Sequence, residues 1–450
     1  MFWFFIQFFD FLINYKLHLF FAFACYVWFV WVVKVYYARK YKPYTKPFVA
    51  TTSAIVPVFR EDPLILKECL TSILRAGADE VIVVIDERDA GKYEKIVDSL
   101  GVRYTYAPPG KREAIVEGIR MTSGEIVFII DSDTILDKNT IKEMLKPFAD
   151  SLVGGVTPAQ RIRNPRTLTE RIMDWMEDSR WKISNKAMSS QGVVGCLPGR
   201  CIAFRRSVIE RVLDDFLNET FLRTKCVTGD DRYLTSLTLK QGYKTVYQST
   251  AVVYTTCPRS LGKFSLMHLR WARSSQRETI KAIAEGWFFK RHWILPFCFI
   301  TDIITPLFFM VVMIYAIFNL LYHYNPVAVI AGTIYDRWYF GLALGYVGMN
   351  ISLGVRQMHH LSDNPRDVPL LFLWTTFMTF IMIPIRIIGL FTCWKQDWMT
   401  RREEKAKGQV TVAGLVVAAV VISIAIAIGM AIYIAAGHVY VLLKRGGLWY

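Results

Sequence analysis

The chain has 450 residues, of which 53% are apolar and 20% charged, a balance too apolar for an ordinary water-soluble enzyme. Its formal net charge of +16 would suit nucleic acid in a soluble protein. Here the positive residues gather beside apolar segments and in the section between them, where anionic lipid headgroups and an anionic substrate are sufficient partners, so nucleic acid is set aside.

The first fourteen residues, MFWFFIQFFDFLIN, are apolar but hold Asp10 and no cleavage-site pattern, so they are expected to form an interfacial or additional membrane helix rather than a removed signal. Residues 18–37 are long enough to cross a hydrocarbon core at about 1.5 Å per residue. The basic run Ala38-Arg39-Lys40-Tyr41-Lys42 follows, which favours a cytoplasmic location for what comes next. From there the pattern is βαβ. Strands are predicted at 50–59, 80–86, 102–106 and 125–130, with helices at 63–74, 93–100 and 112–121 between them. Continuous apolar strands alternating with helices indicate a mostly parallel, Rossmann-like sheet covered on both faces, with ligands beyond the strand C-terminal ends.

Residues 227–243, VTGDDRYLTSLTLKQGY, read as a short helix with an acidic N-terminus, stopped at Gly242. Asp230 and Asp231 suit helix capping, because carboxylates near a helix start accept free amide protons. Later candidate spans are 296–321, 338–355, 369–394 and 410–436. The polar connections 356–367 and 395–407 fit the cytoplasmic side, and Pro384 and Arg386 interrupt 369–394. That segment is therefore expected to lie in the interface or to re-enter. Eight cysteines, Cys25, Cys196 and Cys201 among them, show no CxxC spacing. They read as reduced thiols and imply no zinc site.

The acidic residues fall where an open α/β sheet places a ligand. Asp86 ends the second strand and Asp131-Ser132-Asp133 ends the fourth. In extended backbone Asp131 and Asp133 face the same way, so they can share a divalent cation and a sugar diphosphate. Between those strands Pro109-Gly110-Lys111-Arg112-Glu113 puts a helix N-terminus and two cations where an anion would sit, although a basic surface turn has the same composition.

These residues, taken together, resemble the processive family 2 glycosyltransferases, in detail the hyaluronan and chitin synthases. The matching stretches are Phe59-Arg60-Glu61-Asp62-Pro63, Gly110-Lys111-Arg112-Glu113, Asp131-Ser132-Asp133-Thr134, Gly154-Gly155-Val156, Gly229-Asp230-Asp231-Arg232 with Leu234-Thr235, and Arg270-Trp271-Ala272-Arg273-Ser274 with Arg277-Glu278. The resemblance runs from residue 54 to 282 and returns at Trp398. It implies a GT-A glycosyltransferase domain over 46–290, cytosolic and inserted between a membrane segment at 1–45 and a channel region at 291–450 with a cytosolic gate near 395–408.

The resemblance also implies roles. Glu61, Asp86, Lys111, Arg112, Asp131, Asp133 and Arg270 would bind a UDP-sugar donor (UDP-GlcNAc, UDP-GlcA or UDP-Glc), with Asp131 and Asp133 holding Mg²⁺ or Mn²⁺. Asp231, beside Asp230, would remove the proton from the acceptor hydroxyl, and in-line attack would invert an α donor linkage to β. Cys196, Pro198, Gly199 and Trp271 would line the growing polysaccharide, with Trp271 as an aromatic floor; an interfacial anchor is the alternative use of that tryptophan. Trp398 and Arg401 would close over the nucleotide. Two departures stand out: Met267 where the family has glutamine, and Met399 where it has glycine. Rival readings are a non-processive family 2 transferase acting on a lipid-linked or short acceptor, and a transporter or receptor with a nucleotide-binding domain.

Overall fold

The computed structural model of the protein describes residues 18–323 and 338–395. The four apolar runs become β1 (Thr52–Val58), β2 (Glu80–Asp86), β3 (Arg103–Ala107) and β4 (Ile126–Ile130), followed by β5 (Ile135–Leu136), β6 (Val153–Ile162), β7 (Cys201–Arg205) and β8 (Lys244–Thr255). They form one eight-stranded sheet in the order β3-β2-β1-β4-β7-β6-β8-β5. Four adjacent pairs are parallel (β3-β2, β2-β1, β1-β4, β6-β8) and three are antiparallel, where β7 and β5 run against their neighbours. This mostly parallel α/β sheet is the GT-A arrangement.

Both faces of the sheet are buried, which is why the strands read as unbroken apolar runs. Alternate residues of one strand serve opposite layers: Ala54, Val56 and Val58 pack with Leu66, Leu70 and Ile73 of α2 (Pro63–Ala76), the helix next in the chain after α1 (His18–Ala38). Ile55 packs on the other side with Ile115 and Ile119 of α3 (Lys111–Arg120). Helix α2 starts where Asp62 accepts a hydrogen bond from the Leu64 amide and Pro63 enters the first turn, and it stops at Gly77 in the left-handed region. Helix α4 (Leu168–Ser179) starts with a capping box between Thr167 and Glu170. The helix read from VTGDDRYLTSLTLKQGY is α5 (Asp230–Lys240), and Gly242 beyond it has φ 95°. Helix α6 (Leu261–Glu285) carries Arg270 and Trp271, is capped by Ser260 and ends at Gly286.

Contacts divide the described chain into two compact units. One contains residues 33–301 and 388–395 and holds the sheet; the other contains 18–32, 302–323 and 338–387. The stretch after residue 387 belongs with the sheet because it packs on α6: Arg273 donates to Thr392 at 2.9 Å, and a Cβ on Gly389 would stand 2.6 Å from that of Ala272.

Among the described residues three helical runs are long and apolar enough to cross a membrane: Leu19–Ala38, Ile294–Tyr315 and Pro365–Leu390. Trp338–Arg356 is also helical. Residues 365–390, which overlap the segment 369–394 expected to lie in the interface or to re-enter, are helical throughout. They contain a π turn at Met378–Met382 directly before Ile383 and Pro384, the kind of wide turn that absorbs a proline's missing amide. The stretch MFWFFIQFFDFLIN, the span 410–436 and the gate residues Trp398 and Arg401 lie outside the described residues.

Candidate active site

The parallel half of the sheet ends in four chain turns side by side, and each supplies a charged residue. Beyond β1 comes Glu61, at the end of β2 Asp86, beyond β3 Lys111, and beyond β4 Asp131 to Asp133. This follows from parallel pairing, which brings the C-terminal ends of neighbouring strands to one edge.

Lys111 is the hub. Its Nζ lies 2.7 Å from Asp131 Oδ1 and 3.1 Å from Asp230 Oδ2. Burial disfavours the ammonium, but Asp131 and Asp230 outweigh that and raise its pKa, so it stays charged. Asp86 is buried and bonded twice by Arg88, at 2.7 and 2.6 Å. Burial pushes its carboxyl up, but Arg88 and the Gly110 amide hold it below its ordinary value. Arg88 in turn lies 4.1 Å from the ring centre of Phe59. Glu61 Oε2 accepts from Ser132 Oγ at 2.7 Å, which joins the β1 turn to the β4 turn, and Asp133 Oδ2 accepts from Thr256 at 3.3 Å.

The antiparallel strand β7 delivers the second wall. Ile130 pairs with Cys201, so the loop before β7 lies against the end of β4, and the Asp131 amide donates to the Arg200 carbonyl at 3.1 Å. In that loop the Gly199 amide donates to Asp231 Oδ2 at 3.1 Å. A Cβ placed on Gly199 would stand 3.0 Å from Lys111 Nζ, 3.6 Å from Asp231 Cβ and 3.9 Å from Asp131 Oδ1, so this one residue marks where three of the site's side chains converge. Pro198 accepts from Gln160 at 3.4 Å, and Cys196 is half-buried, its thiol pushed up by burial. Arg200 is clamped by Gln160 at 3.0 Å and Glu177 at 2.9 Å, and its guanidinium lies 5.4 Å from the Trp271 ring centre. Arg270 and Trp271 are half-buried on α6.

Asp230 and Asp231 occupy the first turn of α5, after Gly229 at φ 84°. Their environments drive them apart. Burial raises Asp230, but Lys111 overrides it and holds the carboxyl below its ordinary value. Burial and then the neighbouring Asp230 push Asp231 above its ordinary value, opposed by Lys111 and the Arg232 amide. One acid of the pair is thus a fixed anion and the other a stronger base, the division of labour expected of an acid–base site.

Arg112 does not join this cluster, against the expectation for Gly110-Lys111-Arg112-Glu113. Successive residues of a helix point about 100° apart, so Lys111 faces the strand ends while Arg112 turns inward, is 3% exposed, and pairs with Glu219 and the Phe216 carbonyl. Sequence reasoning also missed Arg88 and Glu177, and it gave Arg200, the last residue of the acceptor-lining loop at 195–200, no role of its own. Arg88 was discoverable, two residues beyond Asp86 with its short loop; Glu177 and Arg200 meet across 23 residues with no motif to link them.

For a divalent cation the described residues hold no group of three or more His, Cys, Asp and Glu side chains. Asp131 and Asp133 are two hard oxygen donors on one strand end, which fits an ion shared between one or two carboxylates and a diphosphate.

Residues 50–274 match the family model described as glycosyltransferase like family 2, half of the chain. The chain is 33% identical over 251 residues to an N-acetylglucosaminyltransferase of Azorhizobium caulinodans, covering 53% of this chain and 62% of the relative. It is 35% identical over 246 residues to one of Mesorhizobium japonicum, covering 52% and 57%. It thus spans about three fifths of the length of these relatives. With a hyaluronan synthase of Streptococcus pyogenes it shares 27% identity over 387 residues, 83% of this chain and 88% of the relative. The mannosyltransferase of Pyrobaculum calidifontis, solved with GDP-Man and Mn²⁺, superposes with a TM-score of 0.55 at 19% identity, covering 80% of this chain and 98% of that one; the two share a fold.

Proposed function

Because the chain belongs to the family 2 glycosyltransferases, we propose that its site makes a β-linked polysaccharide, hyaluronan-like or chitin-like, from UDP-sugars by inverting transfer. In this reading the enzyme is processive and passes its product across the membrane from a cytosolic active site. The observation that carries the reading is the convergence of Asp131, Lys111 and Asp231 on Gly199, with Asp230 on the same lysine.

Asp231 accepts the proton of the acceptor hydroxyl as that oxygen attacks the anomeric carbon, and its raised pKa suits the task. Asp230 keeps Lys111 oriented. As the glycosidic bond to the nucleotide breaks, charge gathers on the leaving diphosphate, and Lys111, fixed beforehand between two carboxylates, stabilises it without reorganising. A Mg²⁺ or Mn²⁺ ion held by Asp131 and Asp133 would supply further positive charge there. Trp271, stiffened from one side by Arg200, offers an indole face to a pyranose ring. The names of the relatives favour N-acetylglucosamine as one of the sugars, and the 83% coverage by a hyaluronan synthase supports a polymerising enzyme over one acting on a short acceptor. The apolar helices give a membrane path for a hydrophilic product that cannot cross lipid unaided.

The test is to incubate the purified membrane protein with UDP-GlcNAc, UDP-GlcA and UDP-Glc, singly and in pairs, with Mg²⁺ or Mn²⁺, and to digest any product with linkage-specific hydrolases. Asp231→Asn is expected to abolish UDP release while donor affinity stays within about twofold, since the base acts only in the transition state. Undiminished turnover in that variant removes Asp231 as the base.

A further inference from the structure

Behind the Asp230–Asp231 turn lies a set of buried charges. Arg112 pairs with one oxygen of Glu219, and Lys281 Nζ lies 2.6 Å from the other. Lys281 also stands 3.5 Å from Glu278 Oε1, and Arg277 Nε stands 3.9 Å from that same oxygen. Arg277 is fully buried and donates through Nη2 to the Thr228 carbonyl. A Cβ on Gly229 would meet that Nη2 at 3.0 Å, so the guanidinium lies directly against the turn that begins α5. The cluster joins α3, which starts at Lys111, to the chain at 216–228, to the Asp230–Asp231 turn, and to α6, which carries Trp271 two helical turns before Glu278.

Such a cluster is a poor way to gain stability. Taking several charges out of water costs more than well-packed apolar side chains would, and what buried ion pairs supply in return is a single defined arrangement. Glu219 and Glu278 are both buried and share one ammonium, 2.6 and 3.5 Å from Lys281 Nζ, and two carboxylates this close disfavour ionisation of the second.

We propose that Arg277 and Glu278 are positioning residues: with Glu219, Lys281 and Arg112 they lock the Thr228–Asp231 turn to α6, so that Asp231 and Trp271 keep one separation. The inference rests on the reading of Asp231 as the base. Glu278 faces Glu219, Lys281, Arg277 and Tyr233, and Glu219 faces Arg112 and Cys226 as well. Burial pushes the Cys226 thiol up to about 11 and raises the Tyr233 phenol, so both stay neutral at mildly alkaline pH. Burial and then Glu219 push Glu278 up to about 8, while Glu219, beside Arg112 and Lys281, is held below its ordinary value despite its burial. Glu278 is thus expected to be neutral at neutral pH and to ionise, loosening the lock, as the pH passes about 8.

The test uses the full chain in lipid nanodiscs, following UDP release against pH with donor affinity measured separately. Wild-type kcat is expected to fall as the pH passes about 8 while donor affinity holds. Glu278→Gln, which keeps a neutral hydrogen-bond donor in the same shape, should retain kcat at neutral pH within about twofold and lose the alkaline fall. Glu278→Ala should lower kcat about tenfold or more with donor affinity unchanged, since it disturbs placement alone. A second readout is independent of turnover: the infrared carbonyl stretch of a protonated carboxylic acid, present at neutral pH in wild type and in Asp231→Asn, and absent in Glu278→Gln. An alkaline fall that survives in Glu278→Gln together with an unchanged infrared band overturns the proposal, as does wild-type kcat in Glu278→Ala. Active Asp231→Asn would instead remove the base while leaving the glutamate proton to the infrared measurement, so the two failures are distinguishable.

Discussion

At the scale of single residues, the site works by giving chemically identical side chains different surroundings. Asp230 and Asp231 are neighbours on one helix turn, yet the first lies on Lys111 and the second on the Gly199 amide. The same logic separates Glu219 from Glu278, and it has a consequence for folding as well as for rate. A carboxyl whose folded-state pKa lies above its unfolded one binds more protons when folded. Its stabilising contribution is complete below its ordinary value of 4.5 and is lost as the pH rises through about 8. The apparent thermal midpoint of the wild-type protein should therefore drop across that window. In Glu278→Gln, which has no proton to lose, the drop should be shallower; parallel curves for the two proteins would place the titration elsewhere.

At the scale of elements, two glycines show how strand ends and helix starts are brought together. Gly229 has φ 84°, and a Cβ there would stand 2.2 Å from Ser274 Oγ as well as against Arg277. Gly229→Ala thus combines left-handed strain of about 1–3 kcal/mol with a clash against α6, and should lower thermal stability and kcat together. Gly199 has no such backbone demand, and its nearest neighbour is the flexible end of Lys111 at 3.0 Å. Gly199→Ala should leave the thermal midpoint within experimental error but weaken donor binding, because Lys111 must move off Asp131. Equal losses of stability in the two variants would contradict this division. The parallel strands and their acidic ends were legible in the sequence, since a strand buried on both faces reads as an unbroken apolar run and a terminal aspartate has no packing use there. The inward turn of Arg112 was not, because a motif gives adjacency along the chain while the 100° step of the helix decides direction.

Along the whole chain, a section rich in charge is preceded by the apolar helix Leu19–Ala38 and followed by Ile294–Tyr315 and Pro365–Leu390. With only two carboxylates on the β4 end and no group of three or more His, Cys, Asp and Glu side chains among the described residues, a cation held there would need further ligands, which a donor's diphosphate would supply. Chelation should accordingly stop transfer, and Mn²⁺ or Mg²⁺ should restore it, with metal affinity rising when UDP is present. Transfer that persists in excess chelator would leave Lys111 as the cation at the diphosphate.

Hydrophobic period and strand-end chemistry are local properties, so the mostly parallel α/β sheet, the apolar helices before and after it in the chain and the acidic strand ends could all be read from the order of residues. Folding was needed to show that Lys111 serves Asp131 and Asp230 at once, that Arg88 neutralises Asp86, that Glu177 holds the Arg200 that lies against Trp271, and that Glu219 and Glu278 share Lys281. Each of these depends on side chains meeting across the fold or turning about a backbone axis, and pairwise charge interactions weaken with distance in space regardless of separation along the chain.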